Sequence, residues 1–183
     1  SGEATYLDLK ERSDPFYNDL GNRFLHTGPE RDRGLFENLE WQETDSPEDC
    51  DLIVNTGPWE DGETVEDYEE FLQRGIARGL PMICANPDLE VVRAGRKIVC
   101  AGALAVRYQE LGGLVRWFGK PKTEIYDYCF RVLDGIDKSR IAAVGDSFRT
   151  DLVGARDTGI DPILVCDGIH AAELGDDPPD EQA

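Results

Sequence analysis

The 183-residue sequence is short of positive charge: nineteen Lys and Arg stand against thirty-eight Asp and Glu, a formal net charge of −19 with a pI near 4.3. That balance opposes non-specific attraction to nucleic acid or to an anionic membrane surface and removes both from the expected partners. Histidine is scarce, with two residues, and the five cysteines, at 50, 84, 100, 129 and 166, form no CxxC and have no histidine at zinc-like spacing. A metal cluster built on thiolates is therefore excluded, and so dispersed and odd a set is what reduced thiols in a cytoplasmic chain look like. No run approaches the roughly 18 apolar residues of a membrane span. The opening residues SGEATYLDLKER lack the basic and apolar regions of a signal peptide, so a soluble, unexported chain is expected. No Gly-x-Gly-x-x-Gly follows an apolar run, which argues against a dinucleotide-binding domain. The chain opens at Ser1 without Met and its end, GDDPPDEQA, simply stops, so a truncated or processed polypeptide is expected.

What is present is a globular balance, 40% hydrophobic and 31% charged residues, with room for one domain or two small ones. Short apolar runs alternate with amphipathic stretches, the rhythm of βα units, and predict an α/β fold around a mainly parallel sheet. Residues Glu3 to Arg12 read as a helix, Arg23 to His26 as a strand, and Arg33 to Glu40 as a helix after the Gly28-Pro29 break. The run Asp51 to Asn55 is a buried strand; Tyr68, Phe71, Leu72, Gly75 and Ile76 then recur at helical spacing before the strand-like PMICA at 81–85. CAGALAVRYQELGG, at 100–113, reads as a helix closed by Gly112 and Gly113 and leads into the apolar run Leu114 to Phe118. Pro121 is placed for a first helical position, ahead of an apolar stripe of Ile125, Cys129, Val132 and Leu133. The last unit is the most regular: strand Ile141 to Val144, loop GDSFRTD, helix LVGARDTG and strand PILVC. There is no internal repeat, and the Pro/Asp-rich tail from about Gly175 is expected to fray.

The loop Gly145-Asp146-Ser147-Phe148-Arg149-Thr150-Asp151 carries the strongest chemical signal. Ligands of open α/β sheets bind beyond the carboxyl ends of strands, and the loop sets two carboxylates there, five positions apart. Hard oxygen ligands in that position suit Mg²⁺, which takes one or two protein carboxylates and fills its shell with water and substrate phosphate. A plainer reading stands beside it: Thr150 or Asp151 caps the next helix and Asp146 fixes the turn. A second signal is Gly119-Lys120-Pro121, whose ammonium lies near a helix start, where anions are favoured. It is no Walker A loop, because Pro121 stands where a Ser or Thr would be needed for Mg²⁺.

GKP followed about 25 residues later by GDSFRTD resembles the haloacid dehalogenase-like phosphatase superfamily, in particular its class IIA branch with a C2-type cap, the 4-nitrophenylphosphatase-like group. SGEATYL resembles the helix leading to the cap, ICANPD the cap strand with its Asn-Pro-Asp, CAGALAVRYQELGG the Gly-Ala helix, and PILVCDGIH the last core strand and loop. The resemblance implies a partial Rossmann-like core plus an α/β cap: residues 1–13 as a core helix leading to the cap, Asp14 to Arg116 as the cap, and Trp117 onward as the C-terminal half of the core. It further implies a Mg²⁺-dependent phosphomonoester hydrolase acting on a small phosphorylated metabolite, of the sugar phosphate or nucleotide monophosphate class, with a homodimer through the cap.

By that resemblance Lys120, with Gly119 at the phosphate, balances charge between the phosphoryl group and a nucleophilic aspartate. Asp146 holds Mg²⁺ directly or through water, Asp151 is the second acid, orienting the metal's water shell or Lys120, and Ser147 supports them. Asn86 and Asp88 either face the cleft or form the turn that returns the chain. Trp59, Trp41, Arg96 and Tyr108 are further candidates to line the cleft, although large aromatics in a cap are more often core. The family's opening Asp-x-Asp, nucleophile and general acid, and its Ser/Thr strand are missing. Asp49-Cys50-Asp51 precedes its strand and so lies at the wrong end of a sheet, and Asp167-Gly168 lacks a partner acid. Two expectations follow: this chain alone lacks its nucleophile and leaves Ile141 to Val144 as a bare apolar edge, or it is a catalytically dead phosphate- and metal-binding or assembly module.

Overall fold

The computed structural model describes residues 2–93 and 95–174, so the tail from Gly175 lies outside the described residues. The chain divides into two compact units, 1–119 and 120–183.

In the first unit, helix α1 (Gly2–Glu11) precedes five strands, β1 (Arg23–Thr27), β2 (Gln42–Thr44), β3 (Leu52–Asn55), β4 (Met82–Cys84) and β7 (Val115–Trp117). They form one sheet in the order β2-β1-β3-β4-β7, with every pairing parallel. Helices α2 (Glu69–Ala77) and α3 (Ala101–Glu110) and the antiparallel hairpin β5 (Glu90–Arg93) and β6 (Arg96–Val99) complete it. The inner strands read as unbroken apolar runs because both faces are covered. Leu25, Ile53, Met82 and Cys84 pack with Tyr68, Leu72, Leu104 and Tyr108 on one face. Phe24, Leu52, Val54 and Ile83 pack with Leu9 and Tyr17 on the other. Each such aliphatic side chain, fully buried, contributes about 1.5–3 kcal/mol.

Arg116, at the middle of β7, closes this unit electrostatically: its guanidinium reaches Asp8 of α1 at 2.8 Å and Asp14 at 3.0 Å, over the rings of Phe16, Tyr17 and Phe118. The segment expected as a helix over Arg33 to Glu40 is instead a 3₁₀ turn over Glu30–Phe36, begun by Pro29 and ended by Glu37 in an extended conformation. The strand β2 and the hairpin were not foreseen. The two residues Gln42 and Glu43 are exposed and polar, and the hairpin strands are at best half-buried, so neither carries an apolar alternation.

In the second unit, α4 (Thr123–Val132) leads to β8 (Ala142–Gly145), α5 (Val153–Thr158), β9 (Asp161–Leu164) and a short α6 (Ala171–Leu174). Strands β8 and β9 pair in parallel, Val144 opposite Ile163. Tyr126, Ala155 and Ile160 form the core. Pro121 is not the first helical residue: α4 starts at Thr123 after the extended Lys122, and the Lys120–Pro121 peptide is cis. The foreseen stripe is only partly used. Ile125 packs on the core while Val132 is 68% exposed and Cys129 is also exposed. Val144 and Ile163 are 63% and 51% exposed, so a two-stranded parallel sheet shows an apolar face to solvent, an arrangement otherwise covered on both sides.

Candidate active site

The GDSFRTD segment is built around one wide turn. Beyond β8 the amides of both Asp151 (3.0 Å) and Leu152 (3.2 Å) donate to the Ser147 carbonyl, the second an i→i+5 bond, while Ser147 Oγ accepts from the Thr150 amide at 3.2 Å. Such π-type turns are uncommon and recur at functional sites. Ser147 thus acts as the cap of the turn that leads into α5. Thr150 and Asp151 are pulled inward, to 2% and 6% exposure.

Asp151 uses both carboxylate oxygens. Oδ1 accepts from the Lys120 ammonium and Oδ2 from the Ser147 amide at 3.2 Å. A nearly buried carboxylate needs such partners, because an unpaired one would be strongly disfavoured there. The structure therefore brings Lys120, Ser147 and Asp151 together and sets the amide next to Asp146 in the same network. Asp146 Oδ2 accepts from the Ile169 amide at 3.1 Å, which ties the loop after β8 to the loop after β9. Its Oδ1 has no bond to a described residue.

Two glycines make room for these carboxylates. A Cβ at Gly145 would sit 2.1 Å from Asp151 Cγ, and one at Gly168 would sit 2.1 Å from Asp146 Cβ. Beneath them a Cβ at Gly154 would meet the Tyr126 hydroxyl at 2.2 Å, which fixes α5 against α4. Ile169 and Tyr126 were not singled out from the sequence, and Gly168 was named there only beside Asp167 as a nucleophile candidate, not for the room it leaves Asp146. Gly119, at φ +92°, holds the left-handed conformation before Lys120.

The described residues hold no group of three or more His, Cys, Asp or Glu able to enclose a metal ion. The carboxylates at this turn are Asp146 and Asp151, and Mg²⁺, which keeps most of its water, needs only one or two. Asp146, half-buried with one free oxygen, fits as such a ligand; Asp151 has both oxygens engaged.

The remaining candidates lie in the first unit. Asn86 Oδ1 accepts from the Asp88 amide at 3.2 Å, an Asx turn after β4, and the Asp88 carbonyl accepts from the Gly102 amide at 3.0 Å. Gly102 is required there, since a Cβ would lie 2.4 Å from the Pro87 carbonyl. Tyr108 is fully buried and donates to the Leu80 carbonyl at 2.7 Å, a core role. Trp41 donates to the Leu9 carbonyl at 2.9 Å, and Trp59 stacks on Tyr68 at 4.8 Å. Arg96 lies exposed on the hairpin. Asp51 sits at the amino end of β3, where Arg23 binds it at 3.2 Å and holds its carboxyl below the usual range. Asp167 is exposed.

Residues 117–183 match the model of the HAD-hydrolase-like family. A haloacid dehalogenase-like hydrolase from Brucella suis is 38% identical and superposes with a TM-score of 0.81 over 93% of this chain and 62% of its own. The acid sugar phosphatase of Staphylococcus aureus is 31% identical over 100 residues, 54% of this chain and 38% of that protein. A glycerol phosphate phosphatase from Mycobacterium tuberculosis, solved in complex with magnesium, shares the fold at 20% identity and a TM-score of 0.68, over 94% of this chain and 50% of its own. The chain thus spans about two fifths to under two thirds of the length of these relatives. The family match lies on residues 117–183, and the Brucella hydrolase aligns along nearly all of the chain, so the chain is similar to haloacid dehalogenase-like hydrolases over most of its length.

Proposed function

We propose that the protein containing these residues is a cytoplasmic Mg²⁺-dependent phosphomonoesterase acting through an aspartyl-phosphate. The observation that carries this reading is the tie made by one buried carboxylate, Asp151, between Lys120 and the backbone next to Asp146. A cation fixed where negative charge gathers stabilises a phosphoryl transfer without reorganising at the moment of reaction. Lys120 offsets the charge of the phosphoryl oxygens and of the attacking carboxylate, with Gly119 allowing close approach of the backbone. Asp151 holds Lys120, and Ser147 shapes the turn that carries both acids. Asp146 would hold Mg²⁺, directly or through water, and the ion when bound would supply further neutralisation of the phosphoryl oxygens.

The attacking carboxylate is neither Asp146 nor Asp151, whose oxygens serve these other roles, and Asp51 is committed to Arg23. We assign it to polypeptide outside these 183 residues, which would also cover the apolar face at Val144 and Ile163. Its attack on phosphorus forms the P–O bond of the acyl phosphate as the ester P–O bond breaks; the departing alkoxide takes a proton from a general acid, and water then hydrolyses the intermediate. The relatives named for sugar and glycerol phosphates favour a phosphorylated sugar or polyol, ahead of a nucleotide monophosphate, as substrate. Residues 14–116 would act as a cap that screens the substrate, with Asn86 and Asp88 shaping its surface, and pair two copies as a homodimer. Hydrolysis of 4-nitrophenyl phosphate by the product of the whole reading frame tests this. Lys120→Met and Asp146→Asn should each lower turnover at least ~100-fold, and retained activity in both would overturn it in favour of a phosphate-binding module without chemistry.

A further inference from the structure

The five strands of the first unit run the same way, so their carboxyl ends, with Asn86 beyond β4, lie at one end of the sheet. Asn22, just before β1, and Trp41, just before β2, lie at the other. These two residues and the last turn of α1 line a cavity of about 490 Å³. That volume falls inside the ~300–1,000 Å³ of small-molecule pockets, at the end of the sheet away from the cap turn that carries Asn86.

Two cations face this space, Lys10 near the end of α1 and Arg12 just beyond it. In a chain of net charge −19 such groups are expected to find acids, and most arginines of the unit do. Lys10 and Arg12 are in no ion pair among the described residues; Lys10 has only the Tyr6 ring, 5.5 Å away. Arg12 is fixed in place without a carboxylate. Its Nη2 donates to the Leu20 carbonyl at 2.9 Å and the Gly21 carbonyl at 3.1 Å, and its guanidinium lies 4.6 Å from the centre of the Trp41 ring. Trp41 is held in turn by its Nε1 bond to the Leu9 carbonyl at 2.9 Å. The cation is therefore immobilised before any ligand arrives, while its Nε and Nη1 donors make no bond to a described residue.

The rest of the lining narrows the ligand. Glu40 shares the cavity yet pairs with neither cation, so the charged lining sums to one positive charge. A monoanion matches that sum, whereas a phosphate monoester, at −1.5 to −2 near neutral pH, would bring surplus charge against Glu40. The side-chain amides of Asn22 and Asn38 add further donors, with Asn38 presented by a left-handed turn at φ +63°. Leu9, Leu39 and the half-buried Trp41 supply apolar surface beside them, which a small inorganic anion would leave uncovered.

We propose that this cavity binds a small organic monocarboxylate with an aromatic or branched apolar body, its carboxylate between Lys10 and the stacked Arg12 and its body against Trp41 and Leu39. The site is independent of the phosphatase reading, and the test uses no turnover.

The 183-residue chain is titrated with 3-phenylpropanoate, 3-phenylpropanamide and phenyl phosphate, followed by backbone amide, Asn side-chain and Trp indole chemical shifts. The carboxylate should saturate one site with a dissociation constant on the order of 0.1–1 mM and shift the Trp41 indole N–H and the Asn22 and Asn38 side-chain amides. The uncharged amide should bind there at least tenfold more weakly, and phenyl phosphate more weakly than the carboxylate. Lys10→Met, at an exposed position, should weaken carboxylate binding at least threefold. Glu40→Gln, also exposed, should strengthen it at least twofold, a change of opposite sign that loss of structure would not produce. No saturation by the carboxylate, shifts confined to other parts of the chain, equal binding of the amide, tighter binding of phenyl phosphate at these residues, or unchanged affinity in both variants would each overturn the proposal.

Discussion

The pair Lys120–Asp151 makes a quantitative prediction about the second unit. Asp151 is 6% exposed and its two oxygens have one partner each, the Lys120 ammonium and the Ser147 amide. Truncating Lys120 to Met leaves a nearly buried carboxylate with one hydrogen bond. Breaking a fully buried pair costs about 3–5 kcal/mol, an exposed pair about 0.2–1. The Lys120 side chain is 43% exposed, so solvent reaches the cation and the value lies between these limits, about 2 kcal/mol. Asp151→Asn removes the charge that needed the lysine, so adding Lys120→Met to it should cost much less. A double-mutant cycle, read by urea unfolding with hydrogen exchange at the amides of Ser147 and Asp151, should give a coupling of about 1–2 kcal/mol. A coupling below about 0.3 kcal/mol would mean that Asp151 is held by the turn alone, and the role given to it as the anchor of Lys120 would fall.

Burial holds the His26 imidazole down at about 4, so it is neutral in the fold while the unfolded chain takes up a proton near 6.5. Stability should therefore be complete above pH 6.5 and fall by about 3 kcal/mol as the pH drops to 4; an unaltered pH profile in His26→Gln would refute this. Gly168→Ala should push Asp146 from its place, since the new Cβ would lie 2.1 Å from Asp146 Cβ, and weaken Mg²⁺ binding by calorimetry at least tenfold while Gly34→Ala, with open space around it, leaves it unchanged. Equal affinity in both would remove Asp146 from the metal site. Arg116→Met removes a guanidinium held by Asp8 and packed over three rings, and should destabilise the first unit by about 2–4 kcal/mol in urea; a loss under 0.5 kcal/mol would make that cluster incidental.

How much of this was legible in the sequence depended on period and distance along the chain. The βα rhythm placed α1, β1, β3, α2, β4, α3 and the closing βαβ unit within a residue or two, because two-sided burial writes continuous apolar runs at 52–55 and 82–84. It missed β2 and the β5–β6 hairpin, whose residues face solvent and carry no such mark. It extended a helix over Arg33 to Glu40, where Gly34 and the proline start instead give a 3₁₀ turn. At the site, the spacing of GDSFRTD after a strand pointed to the turn that the structure shows at Ser147 to Leu152. The bond from the Ile169 amide to Asp146, 23 positions away, and the glycines that admit each carboxylate depend on how β8 and β9 pair, which no local pattern records.

The most direct test of the central claim compares two polypeptides in one Mg²⁺-dependent assay of 4-nitrophenyl phosphate: these 183 residues, and the product of the uninterrupted reading frame that contains them. The account predicts turnover by the second, abolished by chelator and by Lys120→Met, and none by the first, since its nucleophile lies elsewhere. Turnover by the 183 residues alone would contradict the assignment of the attacking carboxylate, and inactivity of both would contradict the phosphatase reading itself.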